Sequence, residues 1–287
     1  MRIAFVDTAA GPIEFADEGS GRAILLLHGD CGSCRERTVH PPLENAGFRL
    51  IEPSRPGHGR TPLSVGRTAA EAADAMAGLL AALGIPRAIV AAVSSAGPTA
   101  IALAARHPHR VSALVLQSAV TCSPSSPWAR PSPHRRFFAA DHGLRWRLLG
   151  LAARLVPRLV AVRMLAATSS RDTLDIRARL RRSDLEAVRR FFACDSSAAG
   201  AAADWDHEVS EADLAVIRAP TLVVHSRDDR TVPFAGAARA RSLIPGARLV
   251  APGTGGHFLW IGPGAEEVTQ RVIAFLKSLP PDILGPS

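Results

Sequence analysis

Three residues whose side chains can together perform nucleophilic catalysis occur in this 287-residue chain, and each follows an apolar, strand-like run. They are Ser94 after residues 88–93, Asp229 after residues 221–225, and His257 after residues 247–250. A serine hydroxyl is a weak nucleophile until a base accepts its proton, and histidine can accept it near neutral pH. A carboxylate holds the imidazole in the required tautomer. The three residues therefore predict a Ser-His-Asp triad, although Ser95 and Asp228 are neighbours of the same types.

The segments that must position these residues alternate between strand-like and helix-like patterns from residue 23 to residue 116. Residues 23–27 form a fully apolar run, which is typical of a strand buried on both faces. Residues 68–83 are predicted to form a helix, because Thr68 and Glu71 have capping-box spacing and a glycine follows the end. Such alternation indicates an α/β fold with a parallel sheet, in which functional sites lie at the carboxyl ends of the strands.

The alternation then breaks. Residues 122–133 contain four prolines and several serines, a pattern that marks a boundary. The segment that follows is arginine-rich and reads as amphipathic helices with no strand-like run, until a strand returns at residue 221. The sequence therefore predicts a core of residues 1–121 and 213–287, with a helical cap of residues 122–212 inserted into it.

Composition excludes several classes of protein. Hydrophobic residues make up 47% of the chain and charged residues 21%, which excludes a disordered, collagen-like or coiled-coil chain. The net charge is +8, and residues 128–192 hold 15 arginines against five acidic residues. The aromatic residues of this segment have core-like helical spacing, so a solvated amphipathic face is favoured over a nucleic-acid site. A small-molecule substrate is the expected partner.

Cysteine usage indicates a reducing compartment. Cys31 and Cys34 have C-x-x-C spacing, but neither a thioredoxin-like unit nor a second cysteine or histidine pair accompanies them. Free thiols are therefore expected, with no metal site. The N-terminus lacks the apolar stretch of a secretory signal, and arginines and a proline interrupt the apolar residues 148–167, which excludes a membrane span there. A cytoplasmic protein is expected.

Five motifs occur in the order in which the α/β-hydrolase superfamily carries them, and the chain resembles this family over nearly its whole length. The motifs are HGDCG (28–32), SRPGHGRT (54–61), SSAGPTAIALAARHPHRV (94–111), APTLVVHSRDDRTVP (219–233) and GGHF (255–258). They are similar, in that order, to the family's oxyanion loop, its R-G-x-G segment, its nucleophile helix, its acid strand and its histidine loop. The resemblance implies an α/β-hydrolase fold with a mostly parallel central sheet, flanking helices and an inserted helical cap.

The resemblance also implies a role for each candidate residue. Ser94 attacks a carbonyl group, His257 takes and returns the proton, and Asp229 orients the histidine. The backbone N–H groups of Asp30 and Ser95 form the oxyanion hole, which stabilises the negative charge that develops on the carbonyl oxygen.

The turn around the serine departs from the family's G-x-S-x-G pattern, since it reads AVSSA over residues 92–96. Ser95 as the nucleophile would restore a glycine two residues later. It would also place the β-branched Val93 two residues earlier, in a crowded crossing of strand and helix. Ser94 is therefore preferred.

Two acidic residues raise further questions. Asp229 is preferred over Asp228 as the triad acid, because it lies four residues before Pro233, as in the family. Asp30 places an acidic side chain beside a predicted oxyanion-hole N–H group. This charge weakens the stabilising field unless the side chain points away or bonds locally.

The predicted function is cofactor-free hydrolysis of a small ester or lactone by acyl transfer. Two alternatives use the same triad, namely hydrolysis of a carbon–carbon bond and removal of N-terminal residues by an aminopeptidase-like hydrolase. A third alternative is non-catalytic, because some members of this fold serve as ligand receptors or scaffolds.

Overall fold

Eight strands form one sheet in the computed structural model, which describes residues 2–36, 43, 46–127, 129, 142–194, 197–253, 255–262 and 264–280. The strands are β1 (Arg2–Thr8), β2 (Gly11–Glu18), β3 (Arg22–Leu27), β4 (Phe48–Pro53), β5 (Ala88–Val93), β6 (Val111–Gln117), β7 (Thr221–Val224) and β8 (Arg248–Val250). Their order in the sheet is β1-β2-β4-β3-β5-β6-β7-β8. The β1–β2 and β2–β4 pairs are antiparallel and the other pairs are parallel, which confirms the predicted fold class.

Helices cover both faces of this sheet. They are α1 (Ala69–Ala82), α2 (Gly97–Arg106), α3 (His142–Leu155), α4 (Pro157–Ala167), α5 (Thr173–Arg179), α6 (Arg182–Ala193), α7 (Ala198–Asp204), α8 (Glu211–Ala215), α9 (Phe234–Leu243) and α10 (Ala265–Lys277). Helices α1, α2 and α9 contribute to the apolar core on one face, and α10 with several of the inserted helices to the core on the other. Every residue of β5 and β6 is therefore buried, as an apolar run predicts for a strand covered on both sides.

Helices α3 to α7 lie between β6 and β7 in the chain, where the sequence predicts an inserted helical cap. Two of them, α3 and α6, make aromatic contacts, since the centre of the Trp146 ring lies 5.6 Å from that of Phe191 and 5.0 Å from that of Phe192. Residues 130–141 lie outside the described residues, so the division of the chain at residues 122 and 212 stays a prediction. Of the helices that the structure describes, none has the length and apolar character needed to cross a membrane.

Candidate active site

Ser94 lies at the sharp turn between β5 and α2, at the carboxyl end of a central strand. Its backbone has a φ of +53°, which residues other than glycine rarely adopt. The carbonyl oxygen of Ser94 accepts a hydrogen bond of 2.8 Å from the N–H group of Val120, just after β6, which braces the turn. A strained turn of this kind lifts a side chain clear of strand and helix, as a nucleophile at this position requires.

The Ser94 hydroxyl, His257 and Asp229 form a continuous chain of hydrogen bonds. The hydroxyl oxygen lies 3.0 Å from Nε2 of His257, and Nδ1 of His257 lies 2.9 Å from Oδ2 of Asp229. A carboxylate only accepts hydrogen bonds, so Nδ1 carries the proton and Nε2 can accept one from the serine. The structure thus brings the three predicted residues together, with the imidazole in the tautomer that can act as a base on Ser94.

Asp229, and not Asp228, contacts the histidine. Its other carboxylate oxygen accepts hydrogen bonds of 2.8 and 2.9 Å from the N–H groups two and three residues later. Burial alone would raise the pKa of Asp229, but its contacts with His257 and His225 hold that pKa well below its usual range. Asp228 instead accepts a hydrogen bond from the hydroxyl of Ser170.

His225 is a neighbour of the triad that the sequence does not mark, because it belongs to a strand-like run. Its Nε2 lies 2.9 Å from the carbonyl oxygen of Val232 and 3.3 Å from Oδ2 of Asp229. Since the carbonyl oxygen can only accept, Nε2 carries a proton, and this N–H group also faces the carboxylate. His225 therefore stabilises the negative charge of Asp229.

Contacts from two other segments hold the loop of His257. The Ser118 hydroxyl donates a hydrogen bond of 2.7 Å to the carbonyl oxygen of His257, and the N–H group of His257 donates one of 3.2 Å to the carbonyl oxygen of Thr168. Thr168 follows α4, so the inserted segment contacts the histidine loop directly. A Cβ atom at Gly256 would lie 2.5 Å from the Cβ atom of Ser169, so only glycine permits this approach.

The pKa of His257 is raised above its ordinary value. Burial lowers it, but the charge and the hydrogen bond of Asp229, together with the charge of Asp30, more than offset this effect. The Asp30 carboxylate accepts a hydrogen bond of 3.1 Å from the indole N–H group of Trp205. The acidic side chain beside the oxyanion loop thus bonds locally, while its charge still acts on the histidine.

The predicted oxyanion-hole residues belong to segments in contact with Ser94. A Cβ atom at Gly29, directly before Asp30, would lie 3.3 Å from the Cβ atom of Ser94, which shows how closely the loop packs on the serine. Ser95 is the second residue of a short 3₁₀ turn, residues 94–96. The first N–H groups of such a turn have no partner within it, so they can serve a bound ligand.

Gly97, the first residue of α2, packs tightly against the loop that follows β6. A Cβ atom there would lie 2.0 Å from the carbonyl oxygen of Val120, so another residue would force the backbone to move. Ala92 and Ala96, which occupy the glycine positions of the family pattern, are both fully buried and fit as alanines. Packing therefore requires the glycine at 97, and its presence does not favour Ser95 as the nucleophile.

A buried ion pair lies directly behind this turn. Arg55 is 1% exposed, and its guanidinium group donates a hydrogen bond of 2.6 Å to each carboxylate oxygen of Asp204. Arg55 also donates to the carbonyl oxygen of His28 at 2.7 Å and to the hydroxyl of Ser95 at 3.1 Å. The Ser95 hydroxyl in turn donates to Asp204 at 3.1 Å. The Ser95 side chain therefore points into this ion pair and not towards the histidine.

The ion pair joins three parts of the chain that the sequence does not connect. Arg55 lies in the SRPGHGRT motif, Asp204 ends α7, and His28 begins the HGDCG motif. Burial alone would raise the pKa of Asp204, but Arg55 and His58 hold it well below its usual range. Burial beside Arg55 lowers the pKa of His28, so this imidazole stays neutral. The sequence does not predict this pair, because its partners lie 149 residues apart and the arginine within the motif is the one available signal.

A cavity of about 490 Å³ opens above Ser94. Its wall is largely apolar and includes Trp146, Leu149, Val160, Met164, Phe191 and Trp260. The charged side chains among its described lining residues, apart from the histidine, are Asp30, Glu36 and Arg163. A second cavity of about 190 Å³ shares Asp30 and Ser94 with the first. The serine therefore lies where a large apolar chamber meets a smaller one.

All four cysteines are free. Burial raises the pKa of Cys31 well above its ordinary value and that of Cys34 to about 11. Both groups are therefore protonated thiols at neutral pH and poor nucleophiles. Within the described ranges, no three or more histidine, cysteine, aspartate or glutamate side chains are arranged to hold a metal ion.

Comparison with known proteins gives concordant matches. The family model of the alpha/beta hydrolase fold matches residues 22–262. The uncharacterized hydrolase YcgS of Bacillus subtilis (strain 168) is 31% identical over 285 residues, which cover 96% of this chain and 99% of that protein. The 2-hydroxy-6-oxononadienedioate/2-hydroxy-6-oxononatrienedioate hydrolase of Burkholderia vietnamiensis (strain G4 / LMG 22486) is 30% identical over 282 residues, which cover 92% and 91%.

A solved structure gives the same result. The alpha/beta hydrolase fold protein from Nakamurella multipartita superposes with a TM-score of 0.86 at 30% identity, over 96% of this chain and 99% of that one. The chain therefore belongs to the α/β hydrolase family and is a hydrolase of that fold.

Proposed function

We propose that this α/β hydrolase cleaves a small, apolar ester or lactone by acyl transfer, with Ser94 as the nucleophile, His257 as general base and acid, and Asp229 as the group that orients the histidine. The observation that carries the proposal is the hydrogen-bond chain from Ser94 to Asp229 beneath a largely apolar cavity. The base in contact with the hydroxyl supplies the activation that a serine nucleophile needs.

The first half of the proposed reaction forms an acyl-enzyme. The Ser94 hydroxyl oxygen attacks the carbonyl carbon while Nε2 of His257 takes the proton, and Asp229 stabilises the imidazolium ion. The carbonyl oxygen becomes an oxyanion that accepts hydrogen bonds from the backbone N–H groups of Asp30 and Ser95. When the tetrahedral intermediate collapses, the ester C–O bond breaks and His257 gives its proton to the departing alkoxide.

Water completes the reaction. A water molecule attacks the acyl carbon while His257 takes one of its protons, and the bond to Ser94 then breaks as the proton passes to the serine oxygen. The products are a carboxylic acid and an alcohol, which remain in one molecule when the substrate is a lactone.

The cavity favours an uncharged, apolar substrate. In this proposal the cap of residues 122–212 supplies much of the wall, with aromatic and aliphatic side chains from α3, α4 and α6. The volume of about 490 Å³ lies within the usual range of about 300–1,000 Å³ for small-molecule sites. The carboxylates of Asp30 and Glu36 line the same cavity, and they repel an anionic group near the serine.

Hydrolysis of a hydroxy-oxo dioate at a carbon–carbon bond is the second candidate. The substrate in the name of the Burkholderia vietnamiensis relative favours it, and the same triad serves it. The charges of the cavity disfavour this reaction. A dioate carries two carboxylates, and the described lining residues include two carboxylates that repel them and one arginine that attracts them. Faster turnover of such a dioate than of a neutral aryl ester would reverse this order.

Labelling with a fluorophosphonate probe tests the proposal. The probe should modify wild-type protein at Ser94, and peptide mapping should locate it there. Ser94→Ala should abolish both labelling and turnover of a short-chain aryl ester. Ser95→Ala, the matched control at the next position, should keep both to within about tenfold, because only its backbone N–H group serves the reaction. An unlabelled wild-type protein would favour the non-catalytic alternative, and labelling at Ser95 would contradict the assignment of the nucleophile.

A further inference from the structure

Helix α3 exposes a stripe of leucines. The stripe consists of Leu144, Leu148, Leu151 and Leu155, which are 62%, 56%, 53% and 72% exposed. Their spacing of four, three and four residues places them along one side of the helix. Trp146 and Ala153, on the opposite side, are buried at 6% and 0%. The helix therefore already packs one apolar face into the core, and the leucines form a second apolar face. A contiguous exposed apolar patch of this kind is typical of an interaction surface.

Arginines border this stripe. At about 100° per residue, Arg145 lies on one flank of the leucines, and Arg147 and Arg154 lie on the other. Helix α4 carries two further arginines, Arg158, which donates a hydrogen bond to the carbonyl oxygen of Arg177, and Arg163; all five side chains are exposed. The sequence has no acidic residue between positions 142 and 171, and among the described residues none of the five pairs with an acidic side chain. The four leucines and the three arginines of α3 together form what we call the arginine–leucine face.

The large cavity opens beside this face. Val156 and Leu159, where α3 meets α4, line the cavity and are also 47% and 56% exposed. Arg163, an exposed arginine of α4, lines the cavity as well. An apolar path therefore leads from the arginine–leucine face to the chamber above Ser94.

We propose that the arginine–leucine face docks on an anionic lipid surface, with the leucines in the apolar boundary and the arginines on the lipid phosphates. Helices that lie in a membrane interface have this composition, with a leucine-rich face and basic residues on the polar side. The chain would then lie on the membrane without crossing it. Docking does not depend on the proposed reaction, but where both hold, an apolar ester dissolved in the lipid reaches the cavity without entering water.

A second copy of this chain fits the face less well. Two-fold symmetric contact through the same surface would set the three arginines of α3 against the same three arginines of the second copy. No acidic residue of α3 or α4 is available to compensate them, so like charges would oppose the contact. Anionic headgroups have the complementary charge, and they favour the lipid surface over the dimer.

Vesicle sedimentation tests the proposal. Wild-type protein should bind phosphatidylcholine vesicles in which roughly a third of the lipid is phosphatidylglycerol, and should bind pure phosphatidylcholine at least about tenfold more weakly. High salt should weaken the binding, because it screens the headgroup charge. The double variant Arg147→Gln and Arg154→Gln should bind the anionic vesicles about 30-fold more weakly, because each arginine near the surface contributes about fivefold to the affinity.

The leucines have their own variants and a matched control. The pair Leu148→Glu and Leu155→Glu should lower vesicle binding by at least about 100-fold, since it removes apolar contact and adds repelled charge. Val216→Glu introduces one such charge at a residue that is 49% exposed and precedes β7, at the amino end of the strand, whereas Ser94 lies at the carboxyl end of β5. This variant should therefore bind as wild type. Neither leucine lines the cavity, and all variants should keep the wild-type melting temperature to within a few degrees.

Three results would overturn the proposal. One is a wild-type protein that does not bind the anionic vesicles. Another is wild-type affinity for the vesicles in the double variant Leu148→Glu and Leu155→Glu. The third is a wild-type dimer in analytical ultracentrifugation that becomes a monomer in the same double variant. The occupant of the face would then be a second copy of the chain.

Discussion

Removing the charge of Asp204 tests whether the buried ion pair stabilises the protein and positions the oxyanion loop. Asp204→Asn keeps the size of the side chain but leaves the guanidinium group of Arg55, which is 1% exposed, without an anionic partner. Arg55 holds the carbonyl oxygen of His28, and the N–H group of Asp30 lies two residues further along the same loop. A displaced guanidinium group therefore moves the segment that we propose binds the oxyanion.

The expected loss of stability follows from burial. Breaking a buried ion pair by removing one partner costs about 3–5 kcal/mol of the free energy of unfolding. Each kcal/mol lowers the melting temperature of a chain of this size by about 2–4 °C, so the fall should be on the order of 10 °C. Asp74→Asn is the matched control, because Asp74 accepts two hydrogen bonds from Arg106 at the surface, where such pairs contribute about 0–1 kcal/mol.

The loss should also depend on pH in a defined direction. The pKa of Asp204 is depressed in the folded protein, so the stability that its charge contributes is complete above the unfolded-state pKa of about 3.9 and is lost as the pH falls below it. The difference in free energy of unfolding between wild type and Asp204→Asn should therefore be full at pH 7 and smaller by about 1.3 kcal/mol at pH 3.

Urea unfolding at the two pH values measures this difference, and kinetics on a soluble aryl ester at pH 7 measure the positioning role. We expect kcat of Asp204→Asn to fall by about tenfold or more with little change in KM, because the oxyanion hole acts on the transition state. The pair Arg55→Met and Asp204→Leu should recover stability, since buried ion pairs can be replaced by packed apolar residues, but it should not recover kcat.

Two results would refute this reasoning. A stability loss no larger than that of Asp74→Asn, or an equal loss at both pH values, would show that the charge of Asp204 does not stabilise the fold. Wild-type kcat in the pair Arg55→Met and Asp204→Leu would show that the ion pair does not position the oxyanion loop.

Four further predictions concern the triad and its surroundings. Asp229→Asn should lower kcat by about 10⁴-fold because it traps the wrong tautomer of His257, whereas Asp228→Asn should lower it by less than about tenfold in the same steady-state assay. In profiles over roughly pH 4–9, kcat/KM should fall as His257 gains its proton, with an apparent pKa above the ordinary value of about 6.5. Asp30→Asn should move this fall to lower pH, because it removes a charge that favours the imidazolium ion. Ala92→Val should lower the melting temperature or kcat, because position 92 is fully buried beside the serine turn, and an unchanged protein would show that the crossing has room for a larger side chain.

Local patterns determined much of the fold and of the candidate site. A strand buried on both faces needs an unbroken apolar run, so β5 and β6 are recognisable from their residues alone. Ser94, Asp229 and His257 each follow such a run, and the carboxyl ends of parallel strands meet at one edge of the sheet. A sharp turn between strand and helix at Ser94 was expected from the local pattern. The preference for Asp229 over Asp228 came from the resemblance to the family, and in the structure Asp229 is the residue that contacts His257.

Only the tertiary structure showed which distant groups meet. Asp204 is an ordinary charged residue in the sequence, and Arg55 is marked only by its place in the SRPGHGRT motif, which does not identify its partner. Ser118 and Thr168 come from separate segments, yet both hold the loop of His257. Such contacts depend on which surfaces the whole chain brings together, and the hydrophobic periodicity of one segment does not predict its distant partners.

The leucine stripe of α3 is a second feature that the sequence alone could not predict. In the sequence its leucines are indistinguishable from the core face of an amphipathic helix, and the structure shows that Trp146 and Ala153 take the core side instead. Periodicity specifies that a helix has apolar faces, because neighbours on a helix surface lie three and four residues apart. Which face turns to the core is decided by the shape and volume of the elements packed against it, and these come from other parts of the chain.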